Sequence, residues 1–522
     1  MTLDSPKPIR KLLVANRGEI AVRVIRSARE MGLRTVAVFS EADERQAHVA
    51  IADEAVEIGP PEPSASYLSA ERILSAARQT GADAIHPGYG FLSERAEFSK
   101  ACADAGITFV GPSADAMRKL GSKIEAKQLA VAVGVPVTPG FFEPGASPEQ
   151  LKRAAEAIGY PVMLKASAGG GGRGMRVARE PSQFDGELSI ASDEALKAFG
   201  SGEMMVEKLI ERPRHIEAQV LADRYGSVAC LFERECSIQR RHQKLIEEAP
   251  SVVLAAQRNM RADPPSGEPR GRPELWDRMQ TAVRSLVAAS GYTNAGTVEF
   301  MVDEASGEFY FLEVNARLQV EHPVTEMIAG VDLVQWQLRI AAGEALELPE
   351  KLLAGNREAI SGHAIEVRIV AEDPAAGFLP SVGKILGWSE PKAPGVRVDT
   401  GYRAGAEVPR FYDSLLAKLI VRAETRYEAL RRLEHALLDF HILGVKTNIA
   451  YLLDVIRHPD FRDGRFDTGF LGREFADWQP SQEIPPELLD IAGAAEIARD
   501  RDSAVAQTPG VWDLSDAFRV SR

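Results

Sequence analysis

The 522-residue sequence is poor in cysteine: Cys102, Cys230 and Cys236 are its only three. None forms a pair at zinc-ligand spacing, which excludes a disulfide framework and a Cys-rich zinc module and fits a reducing compartment. There is no apolar run long enough to span a bilayer, and the opening MTLDSPKPIRKLLVANRG has no apolar core ahead of a small-residue cleavage site. The expectation is a cytoplasmic protein with no membrane segment. Positive charge is in deficit, with a net charge of −13 and a pI near 5.4. That balance argues against nucleic acid or an acidic membrane as a bulk partner, so an anionic ligand would have to be met by local lysines and arginines. NRGEIA fails to complete G-x-G-x-x-G, which removes the nicotinamide fingerprint. What is present is ordinary for a globular chain of several subdomains, with 45% hydrophobic and 26% charged residues.

Over residues 9–111 short apolar strands alternate with helical spacing: a strand over 9–15, a helix through Ile20, Val24, Ile25 and Ala28, then TVAVFS, AVEIG, SAERILSAARQTG, ADAIHP, EFSKACADAG and TFVG. This order predicts a parallel, doubly wound sheet. HPGYGFLSE, residues 86–94, follows a strand; it is a plain turn or, at a strand's carboxyl end, a place where ligands sit. Lys123 lies on an amphipathic helix, where a lone lysine is ordinarily solvated, and a Pro/Gly hinge follows at 134–140. Next, YPVMLKASAGGGGRGMRVA carries Lys165 near the end of a strand, then four glycines, Gly169 to Gly172, then Arg173 and Gly174. Glycine runs are entropically costly, and a hairpin does not need four of them. Bare backbone N–H groups beside a lysine suit phosphate, although the spacing is not that of a P-loop. A flexible linker is the bland alternative.

A strand over Met204 to Val206 leads to Glu207, Lys208 and Leu209, and a second strand carries His215, Glu217 and Gln219. Gln239, Arg240, Arg241, His242 and Lys244 crowd into six positions, as a small anion site or a nucleic-acid patch. Glu247 and Glu248 follow at once and no aromatics interleave, which favours the small anion. Residues 251–273 lose periodicity and gather Pro, Gly and Arg, and most of them read as a surface loop.

The organising stretch is GTVEFMVDEASGEFYFLEVNARLQVEH, residues 296–322. Val298, Phe300 and Val302 share one parity with Val314, Ala316, Leu318 and Val320, whereas Glu299 shares the other with Glu313, Asn315, Arg317, Gln319 and Glu321. DEASGE supplies a turn, so the two runs form an antiparallel hairpin with Glu299 opposite or diagonal to Glu313. Alternation alone fits a half-exposed strand with its charges in water. A hard divalent cation, with Asn315 as a further oxygen ligand, is the chemical alternative, and the phosphate signals upstream favour it. Beyond it come a helix through EMIAGVDLVQWQLRIAAG, a strand with Glu366 and Arg368 on one face, several short strands over 383–423, and a helix over YEALRRLEHALLDF. From Asp477 the chain turns acidic and Ala-rich, with a weak helix at PELLDIAGAAEIARD.

VANRGEIAVRVIR, AIHPGYGFLSE, LKASAGGGGRGMR, ERECSIQRRHQKLIEEAP, FLEVNARLQVEHPVTEM, GHAIEVRI, AEDP and YDSLLAKLIV, in this order, closely resemble the biotin carboxylase component of biotin-dependent carboxylases, in the ATP-grasp superfamily. The likeness runs from about residue 9 to about residue 477. It implies an α/β chain with an ATP-grasp fold. Residues 1–120 would be an N-terminal doubly wound, Rossmann-like subdomain and 121–345 the ATP-grasp region, with a mobile lid over about 138–210. Residues 346–476 would form a C-terminal mixed α/β subdomain ending in a small antiparallel β unit, and 477–522 a tail for linking or partner docking.

By the same resemblance, Lys123 and Lys165 contact ATP phosphates beneath Gly171 and Gly172. Glu207, Lys208, Leu209, Ile210, His215, Gln239 and His242 surround adenine and ribose. Glu299 and Glu313 hold magnesium or manganese, with Asn315 on the second ion. Lys244, Arg317, Gln319 and the backbone of Val320 bind bicarbonate, and Glu321 is the base that deprotonates it. Arg368 stabilises the biotin enolate, and Tyr89 lines the biotin site. The implied activity is ATP- and bicarbonate-dependent carboxylation of biotin through carboxyphosphate, as the first half-reaction of an acyl-CoA carboxylase. The implied assembly is a homodimer or larger complex, with biotin on a carrier protein and the carboxyltransferase on other chains.

The sequence departs from that pattern in three ways. Ala168 replaces a glycine of the loop, 251–273 is an insertion, and no Ala-Met-Lys-Met occurs, so the biotin acceptor must come from elsewhere. The tail WDLSDAFRV faintly resembles the segment that leads to the next domain in long α-subunits. Two rival readings stand beside this one: an ATP-grasp ligase activating a different carboxylate, and an assembly subunit that binds nucleotide or carrier without turnover.

Overall fold

The computed structural model describes residues 7–167, 174–254 and 272–481. Met1–Ala476 forms one compact unit and Asp477–Arg522 a second. The candidate site lies wholly in the first.

The first layer is a parallel sheet of β1 (Lys11–Val14), β2 (Arg34–Phe39), β3 (Glu54–Glu57), β4 (Ala84–His86) and β5 (Thr108–Phe109), in the order β3-β2-β1-β4-β5. Its helices follow from sequence. Gly18–Glu30 buries Ile20, Ala21, Val24, Ile25 and Ala28 on one face, and Ala70–Thr80 is capped by the Ser69 side chain and stopped by left-handed Gly81. The strand order reverses between β1 and β4, the point at which an open α/β sheet forms a crevice. There Asn16 Nδ2 donates to the carbonyls of Pro87 and Tyr89, both at 2.7 Å. Gly88 has φ +63°, and a Cβ on it would stand 2.9 Å from that amide nitrogen, so only glycine lets the loop close on Asn16.

A second, four-stranded sheet follows: β6 (Gly140–Phe141), β7 (Val162–Ala166), β8 (Met175–Ala178) and β9 (Met204–Lys208), in the order β6-β9-β7-β8. Helices Pro148–Ile158 and Phe184–Phe199 cover it over a core of its own that includes Leu151, Leu164, Phe184 and Val206. β9 runs on through Glu207 and Lys208, two residues further than expected, because both continue the ladder with β7.

The largest sheet has eight strands. Its members are β10 (Pro213–Ala222), β11 (Val228–Arg240), β12 (Gln243–Ala249), β13 (Asn294–Asp303), β14 (Glu308–Asn315), β15 (His363–Val370) and, later in the chain, β20 (Val396–Thr400) and β22 (Leu415–Ala423). The order is β14-β13-β10-β11-β12-β15-β22-β20. Short strands β16 (Glu372–Asp373), β17 (Leu379–Pro380), β18 (Gly383–Lys384), β19 (Gly387–Ser389), β21 (Glu407–Val408) and β23 (His441–Leu443) pair off as β16–β17, β18–β21 and β19–β23. They enclose a small core of Ala371, Ile385, Tyr402, Val408 and Leu416. One face of the large sheet is apolar, with Val220, Val298, Phe300, Val302, Phe309 and Phe311 all buried.

Two expectations need correction. The apolar stretch after the hairpin is two helices, His322–Ala329 and Leu333–Ala342, because Gly330 turns left-handed at φ +68°. Residues 251–254 are buried rather than on a surface loop, and Pro273 already opens the helix Pro273–Ser290; the insertion between lies outside the described residues. The weak helix expected after Asp477 also lies outside them.

Helix Arg426–Leu438 begins with a capping box, Glu428 N–H on Thr425 Oγ1 at 3.3 Å and Thr425 N–H on Glu428 Oε2 at 3.2 Å. Thr425→Ala removes one half of it and should cost about 1 kcal/mol, read as a small drop in melting temperature with activity intact.

Candidate active site

The chemistry-bearing residues gather on the other face of the large sheet. Across β14, β13, β10 and β11, the register sets Glu313, Glu299, Glu217 and Arg234 in one row. Adjacent carboxylates repel unless countercharge lies between them. Here Arg234 Nε donates to Glu217 Oε1 at 2.5 Å, His215 Nε2 lies 3.0 Å from Glu299 Oε2, and Lys123 Nζ lies 3.4 Å from Glu313 Oε2. Lys123 is the first residue of its helix, Lys123–Ala132, where the helix dipole disfavours a cation, and the Glu313 carboxylate offsets that cost.

Lys244 is the hub. Its Nζ donates to Glu217 at 2.5 Å, Glu299 at 3.0 Å and Glu321 at 2.6 Å. A bulge makes this possible. Pairing of β11 with β12 steps from Ile238 and Ile246 to Gln239 and Lys244, leaving Leu245 over and turning Lys244 onto the face that Glu247 occupies. Burial alone would lower the Lys244 ammonium, but the three carboxylates hold it well above its usual range. Burial likewise would raise Glu321, yet Lys244, Arg368 and Arg234 outweigh it and keep the carboxylate well below the usual range. Glu217 is the carboxyl pushed up, by burial and then by Glu321.

Arg368 Nη2 donates to Glu321 Oε2 at 3.0 Å, so acid and guanidinium meet over the sheet. Arg317 Nη1 donates to Gln319 at 3.0 Å and Nη2 to Asn315 at 3.2 Å, while its Nε lies 3.1 Å from Glu94. Asn315 Nδ2 donates to Glu299 at 2.8 Å. The Val320 carbonyl accepts from Lys418 at 3.0 Å. Tyr89 donates to Glu19, which itself lies 3.2 Å from Lys418.

Glu299 and Glu313, directly opposite across the ladder, fit a hard divalent cation, which takes oxygen donors of this kind; Asn315 turns its amide nitrogen to Glu299 and its oxygen to Arg317, so it would have to turn over to add an oxygen ligand. His215, Glu217 and Glu299 form a second convergent group, their ligand atoms within 4.8 Å of one another, but Lys244 already brings positive charge there.

On the smaller sheet, Glu207 is buried between two lysines, accepting from Lys165 at 2.6 Å and lying 2.5 Å from Lys127. Burial works against its charge, and the two lysines still bring it down to about 2. The Lys208 ammonium turns back to the carbonyls of Gly159 and Tyr160, at 2.9 and 3.0 Å. Leu209 and Ile210 are half-buried just beyond β9. Gly171 and Gly172 lie outside the described residues.

Two parts of the sequence reading change. The second run of the hairpin leaves the ladder at Asn315, so Arg317, Gln319 and Glu321 reach the site from a loop. Within the ladder, simple alternation would put Phe309 and Phe311 on the face of Glu313; the bulge between the pairs Phe300–Phe311 and Glu299–Glu313 separates them. The basic cluster also disperses. Arg241 and His242 form an exposed turn with φ of 49° and 65°, Gln239 is buried, Arg240 stacks 3.8 Å over Phe378 and pairs with Glu372, and Lys244 alone enters the row of carboxylates. Strand alternation through a tight turn cannot aim Arg240, Arg241, His242 and Lys244 at one anion. Sequence reasoning gave no role to Arg234, Glu94, Lys127 or Lys418. Their partners are at least 15 residues away and on other elements, and no local pattern marks them.

Residues 8–117 match the family of the biotin carboxylase N-terminal domain, residues 122–263 and 270–349 that of the carbamoyl-phosphate synthase L chain ATP binding domain, and residues 366–473 that of the biotin carboxylase C-terminal domain. The small subunit of 2-oxoglutarate carboxylase from Hydrogenobacter thermophilus is 47% identical over 497 residues, 95% of this chain and 97% of that one. The mitochondrial methylcrotonoyl-CoA carboxylase alpha chain of Glycine max is 47% identical over 528 residues, 98% of this chain and 69% of that one. Among solved structures, the biotin carboxylase domain dimer of the Hydrogenobacter thermophilus 2-oxoglutarate carboxylase, in complex with magnesium ADP, ADP and bicarbonate, superposes with a TM-score of 0.83 at 45% identity, over 91% of this chain and 100% of that one.

Proposed function

The chain belongs to the biotin carboxylase family, and from that premise we propose how its own residues carry out the ATP- and bicarbonate-dependent carboxylation of biotin. The enzyme is an ATP-grasp ligase that uses ATP, a divalent metal and bicarbonate, and its biotin comes on a carrier. The observation that carries the assignment of roles is the meeting of Lys244, Glu321 and Arg368 above the Glu299–Glu313 pair.

Lys123, Lys165, Gly171 and Gly172 contact the phosphates of ATP. Glu207, Lys208, Leu209, Ile210, His215, Gln239 and His242 line the base and ribose. Glu299, Glu313 and Asn315 hold magnesium or manganese, which supplies charge neutralisation to the phosphates when bound. Bicarbonate lies against Lys244, Arg317, Gln319 and Val320. Glu321 takes the bicarbonate proton, and the freed electron pair attacks the γ-phosphorus as the bond to the β-phosphate oxygen breaks. The depressed Glu321 carboxyl is ionised, and therefore able to accept that proton, throughout the neutral range. Carboxyphosphate yields carbon dioxide and phosphate; phosphate takes the ureido proton, and the biotin nitrogen bonds to carbon dioxide. Arg368 stabilises the enolate, beside Tyr89. Water must be kept from carboxyphosphate, a task for the small β6–β9 subdomain acting as a lid.

The partners are a biotinylated carrier and a carboxyltransferase on other chains, and the assembly is a homodimer or larger. No helix among the described residues is long and apolar enough to cross a membrane.

The testing experiment is ATP hydrolysis by the purified chain with magnesium, with and without bicarbonate, at rising free biotin. Turnover should require bicarbonate and rise with biotin. Turnover indifferent to both would replace this reading with a ligase for another carboxylate. ATP binding without turnover, even with a biotinylated carrier, would make the chain an assembly subunit.

A further inference from the structure

Arg368 has two anionic partners, and only one of them survives the reaction unchanged. Its Nε donates to Glu247 Oε1 at 2.6 Å and its Nη2 approaches the same oxygen at 2.5 Å, while Nη2 also reaches Glu321 at 3.0 Å. Neither partner uses Nη1, and the side chain keeps 18% of its surface exposed, whereas those of Glu247 and Glu321 are fully buried. When Glu321 accepts a proton from bicarbonate, an O–H bond breaks on the substrate, another forms on the carboxylate, and Arg368 loses that partner's charge. A long side chain with one charged anchor removed regains rotamer freedom.

We propose that Glu247 is a positioning residue for biotin carboxylation: it fixes Arg368 at Nε and Nη2, so that the guanidinium stays at the biotin site while Glu321 is neutral. The inference rests on the roles assigned above to Glu321 and Arg368. It does not depend on a ligand of Glu247's own, since that carboxylate is sealed in the sheet.

The groups facing Glu247 make this anchor responsive. Glu366 stands directly opposite on β15, and neither of its oxygens has a hydrogen-bond partner among the described residues. Arg368 flanks it on the same strand, Lys418 faces that strand from β22, Lys244 lies on Glu247's own strand, Cys236 comes from β11 and Glu321 from the loop. Burial pushes Glu247 up to about 7 despite Arg368, with the Glu321 charge adding to the rise. Glu366, buried beside Glu247, is pushed well above the usual carboxylate range, by burial first and with Glu247 adding to the rise. Protonation of Glu321 removes one of the influences that raise Glu247. Glu247 is therefore most firmly ionised, and grips Arg368 hardest, at the point where the other partner lets go.

The test compares parent, Glu247→Gln and Glu247→Asp for biotin-dependent carboxylation, for the slower bicarbonate-dependent ATP hydrolysis without biotin, and for thermal melting. Glu247→Gln should lower kcat for biotin by about 10- to 100-fold, as loss of a supporting partner typically does, with KM for ATP and the biotin-free hydrolysis close to parent. Parental carboxylation should decline as pH falls below about 7, where Glu247 takes up a proton, and this limb should vanish in Glu247→Gln. Glu247→Asp, which keeps the charge but withdraws it by one methylene, should recover part of the rate and the limb. If Glu247→Gln melts as unfolded protein, the aspartate variant carries the test through the same split. A variant that carboxylates biotin like the parent, or loses both activities in step, overturns the proposal. A parent without biotin-dependent turnover is a different failure: it brings down the assignment of the reaction, and this inference with it.

Discussion

Lys244→Met is expected to reduce turnover by about 10³-fold or more and to destabilise the fold by about 3–5 kcal/mol, the usual cost of removing one partner from a buried ion pair. The ammonium holds Glu217, Glu299 and Glu321 at 2.5, 3.0 and 2.6 Å, and methionine leaves all three carboxylates buried in its absence. The sign of the pH effect follows from the directions of the shifts. Lys244 is raised in the fold, so its contribution to stability is complete below the ordinary lysine value and is lost only as pH climbs through the higher folded value. The variant lacks it across the whole neutral range. Lys244 is also the charge that does most to hold Glu321 down, so without it the Glu321 carboxyl rises and any residual activity should show its acid limb at higher pH. Denaturant unfolding and ATPase rates at several pH values measure both effects. A variant with parental stability would show that the three contacts are not made in solution.

Glu321→Gln is the complementary change, and it should cost about 10²- to 10⁴-fold in bicarbonate-dependent turnover, the range for a lost general base. Glutamine keeps the shape, and Lys244 retains Glu217 and Glu299, so the fold and the affinity for ATP should hold. The loss should therefore fall on kcat rather than on KM for ATP. Glu321 is depressed in the fold, so its contribution to stability is present above the ordinary carboxylate value and fades as pH falls toward the lower folded value. The variant should accordingly lose less stability than the parent on acidification. Because Lys244 and Glu321 touch, the double variant should lose much less than the sum of the two single effects. Additive losses would mean that the two residues act independently, contrary to the proposed roles.

The order of elements in the parallel sheet was legible from residues 9–111 because apolar runs, helix caps and glycine stops are local signals, and a buried strand or amphipathic helix declares itself within a dozen residues. The carboxylate hairpin was legible as two alternating runs about a turn sequence, and the ladder places Glu299 and Glu313 opposite each other, but that register rests on a bulge and not on the turn alone. Local signals fail where one extra residue changes parity. The bulges at Leu312 and Leu245 cannot be seen in the periodicity, yet the first puts Glu313 on the chemical face and the second brings Lys244 to it. The cluster at Gln239 to Lys244 misled for that reason, since adjacency in sequence implies opposite directions along a strand.

What the sequence determined by itself is the inventory and its short-range geometry: the sheet types, the carboxylate hairpin, the lysine beside a glycine run, and a likeness specific enough to name the chemistry. What the tertiary structure alone decided is the pairing of charges. Arg368 lies 121 residues from Glu247 and 47 from Glu321, and Lys244 lies 77 residues from Glu321. Such partners are selected by which strands become neighbours in the large sheet and by the low dielectric between them, where a buried charge persists only beside its countercharge. That selection is a property of the packed sheet, and no local stretch of the chain carries it.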